Sequence, residues 1–413
     1  MQFQLDFPLN IKASIDVPSS KSISNRALII SALTPNGILP ENLAQCDDTD
    51  VTLNALQNNP AIVDIKAAGT AMRFLTAYYA VTEGEHIMTG TERMKSRPIH
   101  ILVDALRSIG ADITYTENEG YPPLKIVGKK LEGGTITLDG SVSSQFISAL
   151  LLIAPTLSQG LRLELEGSIT SIPYINMTLS LMKQCGAVAQ WENAQTILVE
   201  PQNYIPTKVS VEADWSAASY WFETVALIPK GELTLPKLTI PSLQGDSKGA
   251  PLFKKLGVIF KQTEEGFTLR KGANITEHLE ANFKEIPDLV QTFVVTAALL
   301  GTTFRFTGVE TLRIKETDRI DALINEMRKL GFILKAEGDH AIIWDGRTCQ
   351  AEKHPVIKTY EDHRMAMAFA PAAILYPELV IEEPMVVTKS YPLFWEDLES
   401  IGVWFYPFHN SSL

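Results

Sequence analysis

Residues 288–300 read DLVQTFVVTAALL, and residues 362–375 read DHRMAMAFAPAAIL. Each opens on a polar start and runs on as an apolar helix. Four earlier segments share that form: KSISNRALIISAL from Lys21, TAMRFLTAYYA from Thr70, SSQFISALLLIAP from Ser143 and SAASYWFETVAL from Ser216. From Thr70 onward successive starts lie 72–74 residues apart, and the first interval is shorter, 49 residues. Most starts carry Ser, Thr or Asp where a helix N-cap is expected. A second helix recurs out of phase and stops at Gly110, Gly186, Gly257, Gly331 and Gly402. Glycine there is a helix stop, because a left-handed cap costs it little. Alternating runs follow most of these glycines and read as strands. The unit is therefore strand, helix, strand, helix, strand, strand. Its period is too long for an ordinary solenoid. Six units fall into two groups of three, divided near Ala213. No low-complexity linker separates the halves, so they are expected to share a cleft.

Composition sets the class. The 413 residues are 45% hydrophobic and 20% charged, an ordinary globular balance that excludes disorder and collagen-like structure. No apolar run approaches the roughly 18 residues of a membrane span. The N-terminus, MQFQLDFPLNIKASIDV, alternates like a strand and lacks a signal-peptide pattern. Cys46, Cys185 and Cys349 are odd in number and widely spaced, which fits a reducing cytoplasm. No CxxC, HExxH or EF-hand pattern appears, so no dedicated metal site is expected. GxGxxG and GxxxxGK[ST] are also absent, which leaves a Rossmann dinucleotide site and a P-loop unsupported.

Charge supplies the functional clue. The chain carries 36 Lys and Arg against 48 Asp and Glu, a net −12, where a nucleic-acid binder shows a basic domain or stripe. Cations nevertheless gather at or beside helix starts: Lys21, Arg26, Arg73, Arg97, Arg319 and Arg364. A helix start disfavours a cation on its own. A helix start with a cation is an anion site, since free N–H groups and the charge point the same way. Repetition across both halves suggests a site for more than one phosphate or carboxylate. In RIKETDRI, Lys315, Glu316 and Arg319 cluster at a helix entrance with Thr317 as the N-cap. They read either as a capping turn with a surface ion pair, worth at most about 1 kcal/mol, or as groups set for proton transfer beside an anion. Asp288 reads as a cap that can also serve as a general base. Ser143, Ser144 and Gln145 read as a cap or as neutral donors for a phosphate, and Ser22 beside Lys21 reads the same way. Gly69 lets a ligand approach the backbone closely.

These residues carry a family resemblance. PSSKSISNRAL, AAGTAMR, RMKSRPIHILVDAL, GSVSSQFISALLL, SIPYINMTL, LQGD, IPDLVQT, RIKETDRI, YEDHRMAMAFA and TKSYPLFWEDL occur in the order found in the 5-enolpyruvylshikimate-3-phosphate (EPSP) synthase family, over residues 17 to about 398. The resemblance implies a two-domain inside-out α/β barrel with six βαβαββ repeats, three per domain, and an active site in the interdomain cleft. It implies one domain over residues 13–213 and a second made of 1–12 plus 214–413. It also implies transfer of the enolpyruvyl group of phosphoenolpyruvate to the 5-hydroxyl of shikimate 3-phosphate, with release of phosphate.

By that similarity, Lys21 touches both substrates. Ser22, Arg26, Ser143, Ser144, Ser171 and Lys315 hold shikimate 3-phosphate, with Gln145 near both ligands. Gly69, Arg97, Arg319, Arg364 and Lys389 hold phosphoenolpyruvate. Asp288 is the proton acceptor and lies against the shikimate ligand, and Glu316 and Lys21 are further acid–base groups. No cofactor or metal is required, the partners are the two small anions, and a cytoplasmic monomer of bacterial type is expected. The chain departs from the usual pattern at Ala67, Phe74, Ile172 and Thr311. None of these removes a catalytic group. Phe74 lies behind the Gly69 turn and so bears on response to glyphosate, the family's phosphoenolpyruvate-site inhibitor. Two rival readings are a UDP-N-acetylglucosamine enolpyruvyl transferase, which usually has a reactive loop cysteine, and a non-catalytic anion-binding homologue.

Overall fold

A computed structural model describes residues 1–407. The chain divides into two compact units, an inserted unit, Ser19–Val211, and a composite unit of Met1–Pro18 with the chain from Glu212 onward. Helices form the centre of each, and small sheets flank them.

The central helices of the inserted unit are Lys21–Leu33, Gly69–Val81 and Ser144–Ile153. Those of the composite unit are Trp215–Leu227, Val290–Leu299 and His363–Phe369. They are the apolar segments of the repeat, and they pack against one another within each unit. A helix without a polar face has to be enclosed. Val290–Leu299 is an example: it is almost wholly buried, and Phe293 lies between the Phe253 and Phe283 rings at 4.3 and 5.4 Å. Enclosing one such side chain contributes roughly 2–3 kcal/mol. The out-of-phase helices, such as His100–Ser108 and Arg319–Lys329, keep an exposed face. Gly110 and Gly331 follow them at φ 97° and 94°, the left-handed stop that the sequence implied.

Five four-stranded sheets occur among the described residues. In the inserted unit Ile62–Asp64 pairs in parallel with Gly84–Thr89, which pairs antiparallel with Leu124–Gly128, which pairs antiparallel with Asp112–Tyr115. A parallel pair needs a crossover, and the helix Gly69–Val81 supplies it. The same order recurs in the sheets built on Gly134–Asp139 and on His278–Asn282. The two remaining sheets borrow from the N-terminus. Asn10–Ser14 pairs in parallel with Lys230–Leu235. Gln2–Asp6 lies antiparallel between Val380–Glu382 and Trp404–Pro407. Ile15 and Val17 also pack in the composite core, so residues 13–18 belong there and not with the first domain expected from sequence.

The first repeat departs from the others. It has both helices, Lys21–Leu33 and Asp47–Asn58, but residues 19–58 contain no strand, and a parallel bridge joins Glu41 to Ser210. The short first interval explains this. Pro35, Gly37 and Pro40 fill the stretch between the helices and break any strand there.

The caps were only partly legible. Ser143 and Asp362 cap their helices through side-chain oxygens, accepting from the amides of Gln145 and Arg364. For the Lys21 and Ser216 segments the caps sit earlier, at Ser20 and Asp214. Thr70 lies inside its helix. Thr317 does not cap Arg319–Lys329; Asp318 does, accepting from the amides of Ile320 and Asp321. Asp288 is not the N-cap residue of Val290–Leu299, a position Leu289 occupies, and sits in a single 3-10 turn before Val290.

Candidate active site

The candidate side chains of the composite unit collect where its central helices begin. Asp288 precedes Val290–Leu299, Asp362 and Arg364 open the helix His363–Phe369, and Tyr220 lies in the second turn of Trp215–Leu227. The Asp288 carboxylate accepts from three cations. They are Arg364 Nη2 at 2.8 Å, Arg319 Nη1 at 3.2 Å and Lys315 Nζ at 3.4 Å. Arg319 is 1% exposed. Its Nε donates to Asp362 at 2.7 Å and its Nη2 to Glu316 at 2.9 Å. Glu316 also accepts from Lys389 Nζ at 2.9 Å. Arg364 reaches the Tyr220 hydroxyl at 3.4 Å.

Electrostatics follows this wiring. Burial pushes Asp288 upward, but Arg364, Lys315 and Arg319 outweigh it and hold the carboxyl well below the usual range. Asp246 responds in the opposite sense. Burial, and then the Asp288 charge, push it up to about 7. The Ser216 hydroxyl donates to its Oδ2.

The inserted unit presents a different set. Lys21 opens its first central helix and donates to the buried carboxylate of Asp48 at 2.9 Å. Arg26, one turn on, is buried and donates to neutral groups. They are the hydroxyls of Thr178 at 2.7 Å and Ser148 at 3.2 Å and the carbonyls of Ser22 and Tyr174. Burial lowers its guanidinium to about 10. Gly69 opens the second central helix, and a Cβ there would lie 2.7 Å from Arg97 Nη1 and 3.2 Å from Arg73 Nη1. The glycine is thus what lets two guanidinium groups reach the helix start. Arg97 is buried, and its Nε has no hydrogen-bond partner among the described residues. Ser143 and Ser144 begin the third central helix, and Gln145 Nε2 donates to Thr70 Oγ1 at 3.1 Å, joining the second and third starts. Ser171 sits at φ 53° before Ile172–Gln184. The Thr170 hydroxyl beside it donates to the carbonyls of Ser141 and Val142, which ties the Ser171 turn to the serine loop.

The sequence profile of EPSP synthase (3-phosphoshikimate 1-carboxyvinyltransferase) matches residues 6–59 and 57–398. The chain belongs to the EPSP synthase family. A Bacteroides fragilis 3-phosphoshikimate 1-carboxyvinyltransferase is 56% identical over 402 residues, 97% of this chain and 98% of its own. The Vibrio campbellii enzyme of the same name is 36% identical over 96% of this chain and 98% of its own. Among solved structures, an Acinetobacter baumannii EPSP synthase superposes at TM-score 0.74 with 20% identity, covering 98% of this chain and all of that one. The enolpyruvyl transferase NikO of Streptomyces tendae superposes at 0.70 with 14% identity, covering 98% and 99%. At those identities both likenesses speak to the fold, the two-domain inside-out α/β fold of EPSP synthases. The relatives' names favour shikimate 3-phosphate over UDP-N-acetylglucosamine as acceptor.

Sequence reasoning missed several groups that touch these EPSP synthase residues. Asp48 lies in CDDTD, a run that reads as a helix's acidic first turn, and nothing in it marks which carboxylate turns inward. Asp362 was legible as a cap, but not as the buried partner of Arg319. Tyr220 and Asp246 gave no sign beyond their motifs. Of the departures from the family pattern, Phe74 is buried with its ring beneath the Arg26 guanidinium, 5.2 Å from centroid to Cζ. It therefore bears on Arg26 as well as on the Gly69 turn. Among the described residues no group of three His, Cys, Asp or Glu could hold a metal, and no helix is long and apolar enough to cross a membrane.

Proposed function

We propose that, in the carboxyvinyl transfer to 3-phosphoshikimate that EPSP synthases perform, this chain divides the work between its two charge sets. Lys21, Ser22, Arg26, Ser143, Ser144, Gln145 and Ser171, together with Lys315, hold shikimate 3-phosphate. Gly69, Arg97, Arg319, Arg364 and Lys389, with Lys21 and Gln145, hold phosphoenolpyruvate. Asp288 takes the proton from the 5-hydroxyl as its oxygen attacks C2 of phosphoenolpyruvate. C3 gains a proton to give a tetrahedral intermediate. That methyl then loses a proton as the C2–O bond to phosphate breaks. Lys21 and Glu316 serve this proton traffic, since each can alternate between acid and base.

One observation carries the reading: the threefold cationic grip on Asp288. A carboxylate held so far down is a poor base. Anionic phosphoenolpyruvate supplies the same cations with another partner, as planar guanidinium forks suit carboxylate and phosphate alike. Binding then raises Asp288 toward a useful range. Substrate arrival itself activates the base.

Cysteine chemistry supports this acceptor. All three thiols are free, Cys46 and Cys185 are buried, and burial pushes both upward. Neither resembles the reactive thiolate of the sugar-nucleotide rival. We further propose a cytoplasmic monomer, testable by light scattering in the presence of reductant. The deciding assay is phosphate release from phosphoenolpyruvate with shikimate 3-phosphate or UDP-N-acetylglucosamine as acceptor. Release with the first alone is expected. Release with the second alone would overturn the substrate, and release with neither would leave an anion-binding protein.

A further inference from the structure

The helix Arg319–Lys329 buries two charged residues on one face, two turns apart. Arg319 grips the candidate site. Glu326, only 1% exposed, turns instead toward the chain at residues 356–360. Its Oε1 accepts from the Tyr360 hydroxyl at 2.7 Å, and its Oε2 from Lys329 Nζ at 2.6 Å and the Lys358 amide at 3.0 Å. Lys329 Nζ donates again, to the Val356 carbonyl at 2.7 Å. One buried carboxylate thus fixes residues 356–360 at two points directly and at a third through Lys329.

The backbone of the next residues explains the need. Tyr360 and Glu361 both adopt positive φ, 55° and 56°. Two successive L residues in that region are uncommon, and such strain persists only where the surroundings impose it. Immediately after them comes Asp362, whose amide closes a turn on the Thr359 carbonyl at 2.9 Å. Asp362 caps the helix that presents Arg364 and receives Arg319 Nε. Burial, and then the Glu326 carboxylate, push the Tyr360 phenol well above its ordinary value, so it stays a donor.

We propose that Glu326 is a positioning residue for the transfer reaction, holding through Tyr360 and the Lys358 amide the left-handed turn that aims Asp362 and Arg364. Its role rests on the reading that Arg364 takes phosphoenolpyruvate. Sub-ångström placement of a binding group is enough to change turnover severalfold.

The test measures KM for each substrate, kcat and Tm in Glu326→Gln, Tyr360→Phe and Glu326→Gln/Glu361→Gly, with Arg364→Ala beside them. Glu326→Gln is expected to raise KM for phosphoenolpyruvate about tenfold, with less than twofold change for shikimate 3-phosphate. Tyr360→Phe, the milder change should Glu326→Gln fold poorly, should do the same to a smaller degree. Glycine adopts positive φ freely, so Glu361→Gly should restore much of the affinity without restoring Tm. A purely structural role would lower Tm, leave the ratio of the two KM values fixed and gain nothing from Glu361→Gly; that result overturns the proposal. If Arg364→Ala raises KM for phosphoenolpyruvate and neither Glu326→Gln nor Tyr360→Phe does, the clamp is wrong while the site stands. If Arg364→Ala leaves that KM unchanged, the site reading itself fails and takes the clamp with it.

Discussion

The two units handle charge in opposite ways. In the composite unit Lys315, Arg319, Arg364 and Lys389 each meet a carboxylate of Asp288, Glu316 or Asp362. In the inserted unit Arg26 rests on hydroxyls and carbonyls, and Arg97 keeps a buried N–H without a partner among the described residues. Lys21, paired with Asp48, departs from these two. A buried cation with neutral partners is better prepared for an anion, because no carboxylate has to be displaced. On the proposed reading, a cation locked to a carboxylate must exchange partners when an anion binds, and the exchange frees a base. On that reading one half is prepared to bind, and the other is prepared to react on binding.

Within the composite unit a second contrast makes the point at closer range. Glu223 is as buried as any residue in the chain, and its carboxylate oxygens have no hydrogen-bond partner in the described structure. Burial pushes it well above the usual range, whereas Asp288, among its cations, goes well below. The same residue class in the same core is pushed in opposite directions, and the neighbouring charges decide which.

The largest expected effect breaks the reactive half. Asp288→Asn keeps the shape and removes the base, so kcat should fall by about 10²–10⁴ in a phosphate-release assay, with KM for either substrate changed far less. A comparable loss in affinity with kcat intact would return Asp288 to a binding role. Next comes the prepared half. Arg26→Ala removes a guanidinium whose partners are neutral, so KM for shikimate 3-phosphate should rise on the order of a hundredfold, as loss of a charge-assisted contact of about 1.5–3 kcal/mol implies. Phosphoenolpyruvate kinetics at saturating acceptor should change little.

Smaller still is Gly69→Ala. The new methyl would meet Arg97 Nη1 at 2.7 Å, and the guanidinium must move aside. KM for phosphoenolpyruvate should rise about tenfold with Tm nearly unchanged; an unaltered KM would show that Arg97 does not bind there. The smallest effect concerns stability. Glu223 has a raised pKa in the folded state, so that state holds a proton that the unfolded chain gives up near pH 4.3. Stability then falls as pH rises from about 4.3 toward the raised folded value. Glu223→Gln should flatten that slope in urea titrations and gain roughly 1 kcal/mol at neutral pH. A slope unchanged by the substitution would mean that Glu223 is ionised in the fold.

How much of this was legible in sequence depended on the kind of signal. Apolar segments at a regular spacing gave the central helices, and glycines such as Gly110 and Gly331 gave the outer ones, because burial and backbone conformation act locally. The N-terminal segment read as a strand, and the resemblance placed residues 1–12 with the second domain, but its partners were hidden, since pairing between Gln4 and Tyr406 leaves no local mark. The missing first sheet showed only as a short interval. At the site, Lys21, Arg319 and Arg364 were visible as cations in an unusual place. Their partners Asp48 and Asp362 were not, because a carboxylate in a first helical turn is the expected residue there whether or not a cation meets it. Glu326 was hidden for the same reason: on a charged helix, nothing in the spacing tells a buried carboxylate from a solvated one.

The claim that substrate binding releases the base is open to direct test. The Asp288 carboxyl carbon can be followed by ¹³C NMR, assigned by its loss in Asp288→Asn, through a pH titration of the protein alone and with phosphoenolpyruvate bound without acceptor. The account predicts a carboxyl that titrates well below the ordinary aspartate range in the free protein and moves upward when phosphoenolpyruvate occupies its cations. A carboxyl whose titration is the same in both states, or moves lower with ligand, would contradict it.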